Sequence, residues 1–409
     1  MTLEVARDLD RTDPLAGFRD RFVLPEGVIY LDGNSLGPLA KPARARIADV
    51  VEREWGQSLI RSWNDAHWIE APQRVGDKIA HLIGARPGEV VVADSTSVNL
   101  HKLLVAALRA QTGRATILTE TGNFPTDLYV AHGAAAAVTG ARVKAVDPAA
   151  LETAIDGDTA VVLATHVHYK SADRRDMAGL TAAAHRAGAL ILWDLSHSAG
   201  AVPLDLAGSE ADLAVGCGYK FLNGGPGAPA FLYVAERHQA VLTPTLTGWM
   251  GHAAPFDFSD DWRPAEGISR FLTGTPPILG LAGLEAGVDL ALEVDETALS
   301  RKAEDLWNLF AQLMESRLAG HGFSLLTSRD PARRGSHIAY AHPEGFRIVQ
   351  ALMARSVIGD FREPDVVRFG LTPLYLSFED IWRAVEVLAG IMAGGAWRQA
   401  QARIPGQVT

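Results

Sequence analysis

Between Glu89 and Val234 the chain alternates short apolar runs with stretches of helical periodicity, and this rhythm restricts the fold more than any other feature. Glu89–Ala93, Ala115–Thr119, Arg142–Val146, Ala160–Ala164, Leu190–Asp194, Leu213–Gly216 and Ala230–Val234 read as strands. Ser97–Leu108, Pro125–His132 and Leu180–Ala187 read as helices between them. Strands and helices of these lengths in alternation predict a doubly wound α/β domain around a mainly parallel sheet of seven strands. The rhythm changes past Trp262. Pro276–Leu292 and Thr297–Leu318 are long helical stretches, and the alternating segments Ser336–Ala341 and Val366–Gly370 predict a smaller α+β domain. Phe378–Met392 is a final amphipathic helix, and the tail Gln399–Thr409 is expected to fray.

Upstream of the alternation, residues to about Leu24 form an arm and Val28–Leu31 a short strand, ended by the turn-rich Asp32–Pro38. Pro42–Ser58 and Ala71–Ile83 have helical spacing, with Pro72 suited to a first turn. The expected division is an arm (1–35) that joins the small domain, a large domain (36–262), and a connecting helix with the small domain (263–409). A chain of 409 residues suits this plan.

Composition narrows the function classes. The formal charge of −10 and the lack of a basic run argue against nucleic acid or an anionic membrane as partner. No apolar run is long enough to span a bilayer, and Met1–Asp20 has no signal-peptide core. A single cysteine, Cys217, forbids an intrachain disulfide and fits a reducing compartment, so a cytoplasmic location is expected.

Chemistry concentrates between Leu190 and Gly227. Asp194 ends one predicted strand, and Lys220 follows another within the glycine-rich Gly216–Gly227. Functional residues of open α/β sheets gather outside the carboxyl ends of the strands. A lysine and an aspartate so placed suit a pyridoxal-phosphate enzyme: the lysine bonds the cofactor aldehyde, and the acid keeps the pyridine nitrogen protonated. As isolated residues they read first as a surface lysine and a capping acid; the glycines shift the balance by allowing close backbone approach to a ligand. Ser95-Thr96-Ser97 at a strand-to-helix junction either caps the helix or receives a phosphate. Phe124, before Pro125, is either a core aromatic or a ring for stacking on a flat heterocycle. No P-loop and no well-placed dinucleotide fingerprint is present.

Together these stretches closely resemble the kynureninase family over nearly the whole chain. The resemblance is carried by Tyr30–Gly37, Thr96–His101, Asn123–Asp127, Trp193–His197, Gly218–Asn223, Gly248–Met250, Phe271–Pro277 and Val367–Gly370, in order and in spacing. It implies the aspartate-aminotransferase type of fold, pyridoxal 5'-phosphate, and a homodimer with active sites shared between subunits. It implies hydrolytic Cβ–Cγ cleavage of L-kynurenine to anthranilate and L-alanine, in tryptophan catabolism. Lys220 matches the Schiff-base lysine, Asp194 the pyridinium partner and Phe124 the stacking ring. Thr96, Ser97 and Tyr219 match phosphate ligands, and Asp127, Thr165 and His197 match further cofactor contacts. Trp249 and Thr275 match pocket positions, some supplied by the neighbouring subunit. Arg368 matches the partner of the substrate carboxylate, with Trp63 and Asn34 in substrate-binding segments. Tyr219 is a candidate proton donor. Animal members have Asn-Pro-Pro where this chain has Thr275-Pro276-Pro277, and His in the segment that reads Ser62-Trp63-Asn64; in this the chain resembles bacterial members, which favour kynurenine over its 3-hydroxy form.

Competing readings make distinct demands. A cysteine desulfurase needs a nucleophilic cysteine on a mobile C-terminal loop, whereas Cys217 lies three residues before Lys220. An aminotransferase shares the cofactor and carboxylate sites and differs in releasing a keto acid. A metal hydrolase could use His166 and His168 with Asp173, Asp176 and His185, but no complete ligand set is visible. A catalytically dead scaffold has no need of Lys220, Asp194 and Arg368 together. Trp307 and Trp382 fit core or interface positions, His81, His132 and His185 read as surface or satisfied histidines, and Arg333-Arg334 as a solvated loop.

Overall fold

A computed structural model describes residues 1–400. The expected fraying of Gln399–Thr409 therefore falls almost wholly outside the described residues. The chain divides into two compact units: residues 43–169 with 175–292, and residues 1–42 with 170–174 and 293–409.

The first unit is built on a seven-stranded sheet. Its strands are β1 (Val90–Val92), β2 (Thr116–Glu120), β3 (Arg142–Val146), β4 (Thr159–Thr165), β5 (Leu190–Asp194), β6 (Leu213–Gly216) and β7 (Phe231–Val234). They lie in the order β1-β7-β6-β5-β4-β2-β3. All neighbours are parallel except β7, which runs against both β1 and β6. Six strands therefore share one direction, and their carboxyl ends share one edge.

Alternation along the strands explains the two helical layers. Val90, Val92, Leu118, Val162, Ala164, Ile191, Trp193, Ala214, Phe231 and Tyr233 face one core with helices Ala71–Leu82, Met177–Arg186 and Ile278–Leu292. Val91, Ile117, Val161, Leu163, Leu192, Leu213, Val215 and Leu232 face the other, with helices Thr96–Ala110 and Pro125–Ala136. A sheet covered on both faces needs strands apolar on both sides, and these are, except at the exposed edge strand β3.

Local departures have local causes. The helical reading of Pro42–Ser58 resolves into an α-helix, Lys41–Asp49, that widens into π-type turns over Val50–Ser58 before the left-handed Leu59. The helix expected from Pro276 begins at Ile278, because the tandem prolines remove two donors and fix the entry.

The second unit holds an antiparallel sheet of β8 (Ser324–Leu325), β9 (His337–Ala341), β10 (Asp360–Arg362) and β11 (Val366–Gly370), in the order β8-β9-β11-β10. Helices Glu296–Arg317, Gly345–Met353 and Phe378–Gly394 accompany it, and the N-terminal helix Leu3–Thr12 packs on Phe378–Gly394.

Candidate active site

The shared carboxyl edge of β1, β2, β4, β5 and β6 collects Thr96, Ser97, Phe124, Asp127, Thr165, Asp194, His197, Tyr219 and Lys220. Asp194 is the last residue of β5, is buried, and accepts the Ser196 N–H at 2.7 Å. Thr165 ends β4; its hydroxyl donates to Asn123 Oδ1 at 2.6 Å, with Asp127 Oδ2 at 3.5 Å. Lys220 follows β6, and its Nζ lies 3.4 Å from His197 Nε2 and 5.8 Å from the centre of the Tyr219 ring. Gly218 lets this loop in: a β-carbon there would meet the Pro229 carbonyl.

The electrostatics of this edge are dominated by neighbouring acids. Burial, then the charge of Asp194 and a hydrogen bond shared with it, push the Asp127 carboxyl well above its ordinary range, against the pull of Lys220 and Thr165. Two buried carboxyls in contact cannot both ionise cheaply. Burial, with Cys217 and Asp194 nearby, likewise pushes the Tyr219 phenol up, so it remains protonated at neutral pH.

Thr96 and Ser97 open the 15-residue helix Thr96–Ala110, and Ser95 caps it by accepting the Val98 N–H at 3.4 Å. The cap is thus Ser95, and Thr96 and Ser97 present first-turn backbone donors, as an anion needs. A cavity of about 330 Å³ opens there, lined by Asp94, Ser95, Thr96, Tyr219 and Gly227 among others.

Phe124 leads into helix Pro125–Ala136, is 40% exposed, and meets the Tyr169 ring edge-on with centroids 5.2 Å apart. Trp249 lies in a short 3-10 turn and is 37% exposed, Thr275 lies on the exposed turn before the tandem prolines, and Trp63 packs edge-to-face on Trp68.

Asn34 and Arg368 belong to the second unit. Arg368 lies on β11 directly opposite Asp360 on β10 and is 1% exposed. Its Nε donates to Asp360 Oδ1 at 2.7 Å and its Nη2 to Asp360 Oδ2 and, at 3.1 Å, to Ser35 Oγ. Burial opposes ionisation of Asp360, but Arg368 and Arg362 hold its carboxyl below the ordinary range. Asn34 is fully buried with neither side-chain atom hydrogen-bonded, against Gly370, where a β-carbon would strike it.

The metal reading loses its geometry. His166 Nδ1 lies 2.9 Å from Ser198 Oγ and His168 Nε2 lies 3.0 Å from the Gly122 carbonyl, both past the carboxyl end of β4. His185 pairs with Asp212, which precedes β6 at the opposite sheet edge. Among the described residues no group of three or more His, Cys, Asp or Glu is arranged to hold a metal ion.

Other residues beside these groups are given no role by the motifs. Asn123 joins Thr165 to the Phe124 N–H through its Oδ1, and its buried Nδ2 has no hydrogen-bond partner among the described residues. Asp360 emerges only from the β10–β11 register. Lys102, fully buried beside Asp94, had as its signal a cation within the apolar run Leu100–Leu108.

The donor set suits pyridoxal 5'-phosphate: an amine, a buried acid at a strand end, an accessible ring, an orphaned amide and a helix start beside a cavity. Solved structures of similar fold include a cysteine desulfurase of Thermococcus onnurineus NA1 (TM-score 0.79, 20% identity, 92% of this chain and 98% of that one). Another is the cysteine desulfurase CsdA of Escherichia coli (TM-score 0.76, 20% identity, 95% and 99%). The fold is that of these solved structures, and the donor set at its sheet edge is one that a type-I pyridoxal-phosphate enzyme needs.

Sequence relatives narrow the class. Residues 299–388 match the kynureninase C-terminal domain family. The kynureninase of Pseudomonas fluorescens is 50% identical over 407 residues, 98% of each chain, and that of Burkholderia pseudomallei (strain 1106a) is 50% identical over 403 residues, 97% of each. The chain belongs to the kynureninase family.

Proposed function

We propose that the chain binds pyridoxal 5'-phosphate at the β1–β6 carboxyl edge and cleaves L-kynurenine hydrolytically between Cβ and Cγ, releasing anthranilate and L-alanine. The observation that carries this reading is the convergence of Lys220, Asp194 and the Thr96–Ser97 helix start on one sheet edge. When bound, the cofactor supplies an electron sink for charge that develops at the substrate α-carbon.

The residues divide the remaining work. Lys220 anchors the cofactor and, once free, takes the proton from the substrate α-carbon. Asp194 holds the proton on the ring nitrogen, and Asp127 is a further cofactor contact beside it. Thr96, Ser97 and Tyr219 hold the phosphate, Phe124 covers the ring, and Thr165 and His197 fix its edge. The protonated Tyr219 phenol is suited to deliver a proton to Cβ. Arg368, oriented by Asp360, pairs with the substrate carboxylate; a bidentate guanidinium suits that task. Asn34 and Trp63 complete the substrate site, while Trp249 and Thr275 line the pocket across the interface of a homodimer. Thr275 and the Ser62-Trp63-Asn64 segment favour kynurenine over the 3-hydroxy form. A cytoplasmic location in tryptophan catabolism accompanies this reading, supported by the lone reduced Cys217; no helix among the described residues is long and apolar enough to cross a membrane.

Incubation with L-kynurenine and cofactor, following anthranilate fluorescence, tests the activity. Lys220→Ala is expected to abolish both release and the visible absorption of the bound cofactor. Anthranilate release by that variant at the wild-type rate removes Lys220 from its role, and keto-acid formation in place of anthranilate converts the reading to an aminotransferase.

A further inference from the structure

The cavity at the helix start contains a charge of the wrong sign for a phosphate. Asp94, just past β1, lines it together with Ser95 and Thr96. Asp94 is held there in a left-handed conformation (φ 50°), which a non-glycine residue adopts at a cost. An uncompensated carboxylate at this position opposes the field of the helix N-terminus.

Compensation comes from below. Lys102 sits in the second turn of the same helix and is 0% exposed. Side chains on a helix lean toward its N-terminus, and this one runs back beneath the first turn. Its Nζ donates to the Asp94 carboxylate and, at 2.7 Å, to the Phe271 carbonyl. The Thr273 hydroxyl donates to both Asp94 oxygens, at 3.3 and 3.4 Å. The end of β1, the start of the helix and the segment leading to Thr275 are thus tied at one point.

An ion pair with one partner fully buried is a poor stabiliser, since apolar groups of equal volume often serve as well. Burial pulls the Lys102 ammonium below its ordinary range, against the support of Asp94, so the pair is costly to keep. Its placement against the cavity gives it a local use.

We propose that Lys102 is a positioning residue for the cofactor phosphate: by neutralising Asp94 and fixing it against the Phe271–Thr273 segment, it keeps the cup at Ser95–Ser97 receptive to a dianion. This rests on the reading that the cup takes the phosphate of pyridoxal 5'-phosphate.

The test is equilibrium binding of pyridoxal 5'-phosphate, and separately of pyridoxal, to the full-length protein, followed by visible absorbance. Lys102→Met is expected to weaken the phosphorylated ligand at least about tenfold, an unpaired carboxylate facing it at low dielectric. Pyridoxal is expected to bind the variant as it binds wild type. The double variant Asp94→Asn/Lys102→Met is expected to recover most of the loss, because asparagine tolerates the left-handed backbone and carries no charge. Unchanged affinity in Lys102→Met overturns the proposal, as does an equal loss for pyridoxal, or a double variant no better than the single. Should Lys102→Met fail to fold by circular dichroism, Asp94→Asn decides: it must bind pyridoxal 5'-phosphate at least as tightly as wild type, and a tenfold loss overturns the proposal. A wild type that binds the two ligands equally defeats the phosphate reading of the cup, and this inference with it.

Discussion

Asp32 shows how one half-buried acid can tune a neighbouring guanidinium through its charge. Burial, then the charge of Asp360, raises its carboxyl to about 7, against Ser35, Arg368 and Arg362. Near neutral pH it therefore passes from a protonated to a charged form, beside a guanidinium already engaged by Asp360. Each negative charge added here lowers the attraction that Arg368 offers a substrate carboxylate. On this reading kcat/KM for L-kynurenine is expected to fall roughly three- to tenfold as pH rises through about 7, while the cofactor absorption stays constant. Asp32→Asn should remove that limb of the profile; a limb that survives the substitution assigns it to another group. The stability effect has the matching sign: a carboxyl whose folded pKa is raised contributes fully below its unfolded value and loses that contribution as pH climbs to about 7.

Among the elements, the sheet edge opposite the site is held by a second acid. Asp212, just before β6, accepts the Ile191 N–H at 2.9 Å and Arg237 Nη2 at 2.7 Å, with His185 Nε2 at 3.0 Å and His238 Nε2 at 2.7 Å. Burial works against its charge, but His238, Ile191 and His185 hold its carboxyl below the ordinary range. Its contribution is thus present above the unfolded aspartate value and lost as pH falls through the folded one. Asp212→Asn, which leaves these donors facing a neutral amide, is expected to cost about 3 kcal/mol, read as a lower urea midpoint at pH 7 with activity per folded molecule unchanged. A midpoint within experimental error of wild type would show the cluster to be ornamental. Elements like β5 and β6 were legible in the sequence because a strand buried on both faces is a short unbroken apolar run, and their carboxyl ends mark Asp194 and Lys220 without any contact being known. Asp212 was not legible, since its four partners come from three separate segments. Nor was Asp360: its pairing with Arg368 depends on the β10–β11 register, which a one-residue slip would abolish. Similarly, Ser95 rather than Thr96 or Ser97 caps the helix, a choice made by backbone angles that three adjacent hydroxyl residues do not reveal.

For the whole molecule, the proposed homodimer assigns parts of each site to different subunits. Leu246, Trp249, Phe256 and Phe258 are exposed, and the rings form a chain, Trp249 to Phe256 at 5.8 Å and Phe256 to Phe258 at 6.5 Å. Contiguous exposed aromatics of this kind mark surfaces that another body covers. On the proposed homodimer with shared sites, Trp249 of each subunit serves the Lys220 site of the other. Lys220→Ala and Trp249→Ala should each be nearly inactive alone. Unfolded together in equal amounts and refolded, half the dimers are mixed; each mixed dimer carries one doubly damaged site and one intact site. Activity is then expected to return to about a quarter of wild type. Were Trp249 to act on the Lys220 of its own chain, every site would carry one lesion and mixing would restore nothing.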